Sequence, residues 1–327
     1  MDAFMSCALW CKVTSVVGAV YMAYWGLKWA VWLYTNFVAS VNLKKRYAKA
    51  GTWAVVTGAS DGIGRAFAID LAKRGFNVCI IARTLKKVAE DGSVKGLAEV
   101  QDKIKSLKPS AEVKMIEFDF AKAGDAEYTK LFKELDTLDL AVMVNNVGIN
   151  YEHPLEFETV DIAEDLKILK VNCEAQMRMS KYAAQKLKPK RAGAIVSLSS
   201  MFGSYGAPLL APYGGTKAFN AGFSDSLAYE LGPHGIDVMT VAPGMVCSNM
   251  SKKKRPTFDC PTAAQYAYQT LNKLGLVQWT NGHRHHDIMG GVAALLSPSF
   301  VGSQLYKINK GVMKRALKKK EAAAAKP

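Results

Sequence analysis

Trp53-Ala54-Val55-Val56-Thr57 runs straight into Gly58-Ala59-Ser60-Asp61-Gly62-Ile63-Gly64 and then into a helical pattern over residues 65–74. The order is buried strand, glycine-rich turn, helix start. Glycines let the main chain approach a pyrophosphate closely, and the free amides of a helix's first turn bind its charge. The spacing is Gly-x-x-x-Gly-x-Gly, where the commoner dinucleotide fingerprint has Gly-x-Gly-x-x-Gly. The strand before and the helix after make this turn a dinucleotide site, and they commit the surrounding chain to an α/β fold.

The residues beyond repeat the alternation. A strand over 76–81 leads to Arg83, where an acidic residue would grip the adenosine 2′-hydroxyl of NAD. A guanidinium suits a 2′-phosphate instead, so the expected cofactor is NADPH. A polar, lysine-rich helical region around 85–107 leads to a strand over 113–118 and to Asp119, placed to accept from the adenine amine. A helix over 125–135 precedes a strand over 140–144 and the turn Asn145-Asn146-Val147-Gly148. A helix with Asn172 near its middle follows, then a strand over 194–198 that opens onto Ser199-Ser200. A helix carrying Tyr213 and Lys217 comes next, then a strand over 238–241 that opens onto Ala242-Pro243-Gly244. This rhythm predicts a doubly wound parallel sheet of the Rossmann type with right-handed crossovers. Each motif falls at the C-terminal end of a strand, where such sheets bind ligands.

Tyr213-Gly214-Gly215-Thr216-Lys217 sets a phenol and an ammonium one helical turn apart. A phenol with an ordinary pKa of about 10 is a poor proton donor at neutral pH, and a nearby positive charge draws that value toward working pH. Hydride delivery to a ketone leaves charge on oxygen, which needs such a donor within about 3 Å and a second hydrogen bond to fix its geometry.

The formal charge is +15, and the basic residues crowd at Lys44-Lys45-Arg46, at Lys252 to Arg255 and in the tail from Lys307. That excess suits an acidic membrane face or a phosphate-bearing substrate. Nucleic acid is not expected, since there is neither zinc-finger spacing nor a basic region leading into heptads. The six cysteines are scattered and read as free thiols; His283, His285 and His286 read as an exposed polar loop, and no metal is expected. Residues 13–38 are almost wholly apolar, with Lys28 the one charge. A bilayer needs about 20 such residues, so a membrane helix is predicted, with an interfacial helix or a re-entrant hairpin as the alternative. Lys44, Lys45, Arg46 and Lys49 follow at once, which places the remainder of the chain on the cytosolic side. Residues 288–306 are again apolar but contain Pro298. They read as an interfacial or pocket-covering helix, with an ordinary closing helix of the domain as the alternative. The basic tail suits anionic headgroups. The expected division is a membrane anchor with basic flank over 1–47, a cofactor-binding domain over 48–282, and an apolar, membrane-proximal segment with basic tail over 283–327.

Thr57 to Gly64, Asn145 to Gly148, Asn172, Ser200, Tyr213 with Lys217, and Pro243-Gly244 stand in an order that resembles the short-chain dehydrogenase/reductase family over roughly residues 50–280. The resemblance implies that Tyr213 protonates a substrate carbonyl oxygen, that Lys217 lowers its pKa and holds the nicotinamide ribose, and that Ser200 hydrogen-bonds the carbonyl. Ser200 lies thirteen residues before Tyr213, the family's usual interval, with Ser199 as the fallback. Asn172 would hold a water joining Lys217 to solvent. Cofactor contacts are implied for Gly58, Ser60, Asp61, Gly62, Ile63, Gly64, Arg83, Asp119, Asn146, Tyr213, Lys217, Pro243, Gly244, Val246 and Ser248. Two departures are Gly214-Gly215-Thr216 in place of a Ser/Ala-rich triplet and Ser248 in place of a frequent threonine.

Tyr151-Glu152-His153-Pro154, Pro208-Leu209-Leu210, Arg255-Pro256-Thr257 and Thr280-Asn281-Gly282, together with the apolar N-terminus, resemble a microsomal branch of that family. The branch holds very-long-chain 3-oxoacyl-CoA reductases and 17β-hydroxysteroid dehydrogenases. It implies a long-chain acyl-CoA substrate, membrane lipid and elongation-complex partners at the endoplasmic reticulum. A ketosteroid is the alternative substrate, and a non-catalytic cofactor-binding scaffold is the alternative role.

Overall fold

The computed structural model describes residues 2–88 and 94–324, which fall into two compact units, Met1–Ser40 and Val41–Pro327. The first unit is helix α1 (Asp2–Leu33) ending in a π turn, Tyr34–Val38. Within it Trp10–Val38, 29 residues of mean hydropathy 1.2, is long and apolar enough to cross a membrane. Apolar side chains ring this helix. A helix lying in an interface needs one polar face, and a hairpin needs a break; α1 has neither. The ammonium of Lys28 sits 4.7 Å over the Tyr24 ring and 5.4 Å over the Trp25 ring, which partly offsets its charge.

In the second unit α2 (Leu43–Arg46), β1 (Trp53–Thr57), α3 (Gly62–Lys73), β2 (Asn77–Ala82), β3 (Lys87–Val88), β4 (Val94–Lys95), α4 (Leu97–Leu107), β5 (Val113–Glu117) and α5 (Asp125–Leu135) lead to β6 (Leu140–Asn145). Then come α6 (Ile162–Leu169), α7 (Ala175–Leu187), β7 (Gly193–Leu198), α8 (Met201–Tyr205), α9 (Ala211–Leu231), β8 (Ile236–Val241), α10 (Ala263–Lys273), β9 (Trp279–Thr280), α11 (Arg284–Ala294) and α12 (Pro298–Ala324). Seven strands form one parallel sheet in the order β5-β2-β1-β6-β7-β8-β9. Helices cover both faces, so β6 and β7 are buried along their whole length and are apolar but for Asn145 and Ser197 near their C-terminal ends. The order steps outward from β1 in one direction and from β6 in the other. Their C-terminal ends diverge there and leave a crevice for ligand.

Two stretches differ from the pattern in the sequence. The expected helical region around 85–107 is helical only from Leu97; before it β3 and β4 pair antiparallel, with the intervening residues 89–93 outside the described set. The apolar stretch over 288–306 is two helices, because Pro298 opens α12 at the first helical position, where its missing N–H costs nothing. The Asn309 amide donates to the Pro208 carbonyl at 2.7 Å and Met313 is buried, so part of α12 closes over the segment leading into α9. Val292, Leu295, Phe300 and Ile308 stay exposed.

Asp237 near the start of β8 joins the segment around α2 to the sheet. It accepts from Arg46 Nε at 2.8 Å and from the hydroxyl of buried Tyr47 at 2.8 Å. Tyr47→Ala should destabilise the fold by about 3–5 kcal/mol through the cavity it leaves. Asp237→Ala should cost about 1–3 kcal/mol by stranding the phenol, and the double variant should lose less than the sum, as read by denaturant unfolding.

Candidate active site

The crevice between the β1 and β6 ends is a cavity of about 420 Å³. Its floor is stitched by Thr57, whose hydroxyl donates to the Val144 carbonyl at 3.2 Å and accepts from the amides of Asn146 and Val147 at 3.0 and 3.1 Å. The Asn146 side chain returns the tie, donating to the carbonyls of Thr57 at 2.9 Å and Gly58 at 3.1 Å. Gly64 makes this possible. A Cβ there would lie 2.3 Å from Asn146 Nδ2 and 2.4 Å from the Gly58 carbonyl oxygen. The turn before it takes left-handed backbone at Gly58 and Gly62, φ +64° and +57°, which brings the chain round into the first turn of α3.

Of the residues expected to hold a cofactor, Gly58, Ser60, Asp61, Gly62, Ile63, Arg83, Asp119, Asn146, Tyr213, Lys217, Pro243 and Ser248 line the cavity. Gly64, Gly244 and Val246 stand behind it. Gly64 packs on Asn146, Val246 is buried in the main core, and the Gly244 amide donates to His286 Nδ1 at 3.3 Å. Asp61 does not cap its own helix; its carboxylate accepts from the Asn249 amide at 3.2 Å and so links the glycine turn to the loop after β8. Asp119 accepts from the Ala121 amide at 3.0 Å, which fixes its carboxylate at the cavity wall.

Helix α9 carries Tyr213 and Lys217 on one buried face, with the Lys217 ammonium 5.7 Å from the centre of the phenol ring. The ammonium donates to the Leu198 carbonyl at 2.9 Å, and burial brings its pKa down to about 8. The phenol moves the other way. Burial raises it above its ordinary value, against a smaller opposite pull from the Ser200 hydroxyl. Desolvation sets that direction, since a buried phenolate loses the hydration that would stabilise its charge. The two serines separate clearly. Ser199 donates to the Lys217 carbonyl at 2.6 Å, whereas Ser200 caps α8 and donates to the Pro243 carbonyl at 3.4 Å.

Asn172 lies in a π turn, Lys170–Glu174, between α6 and α7. Both its amide hydrogens are engaged, by the Ile149 carbonyl and by Thr216 Oγ1, each at 3.0 Å, and its Oδ1 accepts from the Ile149 amide at 2.8 Å. Its side chain is thus a brace between the β6 turn and α9. A π turn withdraws main-chain carbonyl from the helical ladder, so a water held at this residue would sit on backbone.

Residues without an assigned role in the sequence also shape the site. Tyr151 packs with Phe202, Ala207 and Leu210 around Tyr213, and its hydroxyl bonds buried Asp165. His283 and His286 are buried, not exposed in a loop: His283 caps α11, and His286 spans from the Gly244 amide to the Asp259 carbonyl, 3.1 Å from Nε2. Since a carbonyl only accepts, Nε2 bears the proton and Nδ1 is free to accept. Spacing gave no signal for this bridge, because its ends lie far apart in the chain.

A family model described as short chain dehydrogenase matches residues 52–259, a span that holds the glycine turn, Asn146, Ser200 and the Tyr213–Lys217 pair. The chain belongs to that family. Among curated relatives, the very-long-chain 3-oxoacyl-CoA reductase of Podospora anserina is 36% identical over 263 residues, 80% of this chain and 74% of the relative. That of Anas platyrhynchos is 38% identical over 272 residues, 83% of this chain and 84% of the relative. Among solved structures, a 7beta-hydroxysteroid dehydrogenase superposes with a TM-score of 0.68 at 21% identity, covering 81% of this chain and 99% of that one, a likeness of fold. The family is one of oxidoreductases, which agrees with a dinucleotide-shaped crevice that ends at a buried phenol.

In this short chain dehydrogenase Gly64→Ala should weaken dinucleotide binding at least tenfold by fluorescence titration, since backbone must move to admit the methyl. Lys217→Met should stabilise the fold while abolishing turnover. The folded pKa of about 8 lies below the ordinary value of 10.5, so burying the charged lysine is penalised in full below pH 8. The penalty fades as pH rises from there toward 10.5. The gain should be on the order of 2 kcal/mol at pH 7 and shrink toward pH 10, as read by melting across that range.

Proposed function

We propose that the protein reduces 3-oxoacyl-CoA to 3-hydroxyacyl-CoA with NADPH, in very-long-chain fatty-acid elongation. The observation that carries this is its 36–38% identity to reductases of that name over four fifths of its length. The cavity fits the cofactor. Gly58, Ser60 and Gly62 line it where a pyrophosphate would meet the start of α3, and exposed Arg83, a cation suited to a 2′-phosphate, follows the β2 end in place of an acidic residue.

When bound, NADPH supplies the hydride. The chain's own residues do the rest. The Tyr213 phenol gives its proton to the carbonyl oxygen, which leaves as the 3-hydroxyl. The Ser200 hydroxyl, whose present bond to the Pro243 carbonyl is long at 3.4 Å, is the second donor that holds the oxygen while charge develops. Lys217 would hold the ribose of the bound cofactor, and Asn172 braces α9 against the Ile149 turn so that phenol and ammonium keep their spacing. Tyr151, Phe202, Ala207 and Leu210 pack around Tyr213 and give it an apolar surround.

The helix over Trp10–Val38 would anchor the enzyme in the endoplasmic reticulum membrane. Lys44, Lys45, Arg46 and Lys49 would then set the catalytic unit on the cytosolic side, beside other elongation enzymes. Purified protein should oxidise NADPH with a long-chain 3-oxoacyl-CoA faster than with a 17-ketosteroid, and faster than it oxidises NADH. Tyr213→Phe should lower turnover by about 10²–10⁴-fold with NADPH affinity retained. A strong preference for the ketosteroid, or an active Tyr213→Phe, would overturn this assignment.

A further inference from the structure

One carboxylate outside the reaction centre gathers three separate segments of the chain. Glu152 pairs through Oε2 with Lys320 Nζ at 3.1 Å and through Oε1 with Lys252 Nζ at 3.6 Å. All three side chains are 58–66% exposed. Pairs this wet are worth about 0–1 kcal/mol and exchange readily. The cluster is also unbalanced. Lys253, Lys254 and Arg255 follow Lys252 on the loop, Lys318 and Lys319 precede Lys320 on α12, all are exposed, and these five have no ion-pair partner among the described residues.

The cluster stands beside the cavity, on the loop that passes from the glycine turn toward the Tyr213 group. Tyr151, beside Glu152, packs in the apolar group around Tyr213. Ser248 and Met250, just before Lys252, line the cavity. Helix α12, which brings Lys320, is held to the segment before α9 by the bond from Asn309 to Pro208. The loop is preorganised as well: Ser251 Oγ donates to the Val246 carbonyl at 2.6 Å, and Lys252 takes left-handed backbone, φ +54°, uncommon for a side-chain-bearing residue.

Resting on the acyl-CoA reading above, we infer that Lys252, Lys254, Arg255 and Lys320 form a clamp for the phosphates of a coenzyme A thioester, with Glu152 as the anionic placeholder that those phosphates displace. The apolar group around Tyr213 receives the acyl end, and the pantetheine arm spans from there to the clamp. The 3′-phosphate and diphosphate are multiply charged acceptors that several exposed cations suit better than one carboxylate does. Helix α12 thereby contributes to substrate selection, although no part of it lines the cavity.

The test compares one 3-oxoacyl chain carried on coenzyme A with the same chain carried on pantetheine, which lacks the nucleotide. Wild type should favour the coenzyme A ester in kcat/KM, and the preference should decline with rising salt. A Lys252→Ala, Lys254→Ala, Arg255→Ala, Lys320→Ala variant should lower that preference about tenfold or more. Glu152→Gln should raise it, whereas a carboxylate that merely ties the loop to α12 would lower it on removal. An unchanged ratio in the fourfold variant overturns the clamp, and so does an equal loss on both esters. Phosphatidylserine vesicles distinguish the other source of phosphate: loss of vesicle binding with the ester ratio intact assigns these cations to lipid headgroups. If wild type reduces neither ester yet turns over a ketosteroid, the functional reading itself fails, and the NADPH affinity of the variant is then the control for fold.

Discussion

The tie between the β1 and β6 ends is the constraint on which the catalytic unit depends. Thr57 and Asn146 exchange four hydrogen bonds with each other's turns, counting Asn146 N, Val147 N and the two carbonyls that the Asn146 amide meets. They fix the width of the crevice at the place where strand order reverses. This lattice survives only because Gly64 carries no side chain. A glycine in the fingerprint is thus demanded here by the protein's own asparagine as well as by a ligand.

Around that frame the site holds a charge in an unfavourable place. Lys217 is buried, its ammonium is met by one carbonyl, and its pKa is drawn down to about 8. A protein selected for stability alone would not keep it. Ser199, Asn172 and Thr216 hold the helix that carries it, so the cost of desolvation is borne by a rigid surround. The same burial lifts the phenol of Tyr213, which keeps it protonated at neutral pH.

The loop after β8 flanks the crevice, and the C-terminal helix packs on the segment before α9. Asp61 holds the former through Asn249, His286 holds its base through Gly244, and Pro208 receives the latter through Asn309. These links join elements that are remote in sequence, and they decide which charged residues meet at the rim.

Local rules read much of this protein directly from the chain. Apolar strands, a glycine turn before a helix, and a tyrosine four residues before a lysine declare themselves because backbone period and side-chain spacing are short-range properties; the parallel sheet and the buried Tyr213–Lys217 face follow. Arg83 and Asp119 were legible for the same reason, each standing at a strand end that faces the cavity. The tertiary structure decided what depends on contact between distant segments. It gave Ser199 to the helix backbone and Ser200 to the Pro243 carbonyl, turned Asn172 into a brace, buried His286 as a bridge, and divided 288–306 into two helices. It also set the direction of the phenol's pKa, since desolvation is a property of the whole surround and one neighbouring charge in the sequence cannot report it.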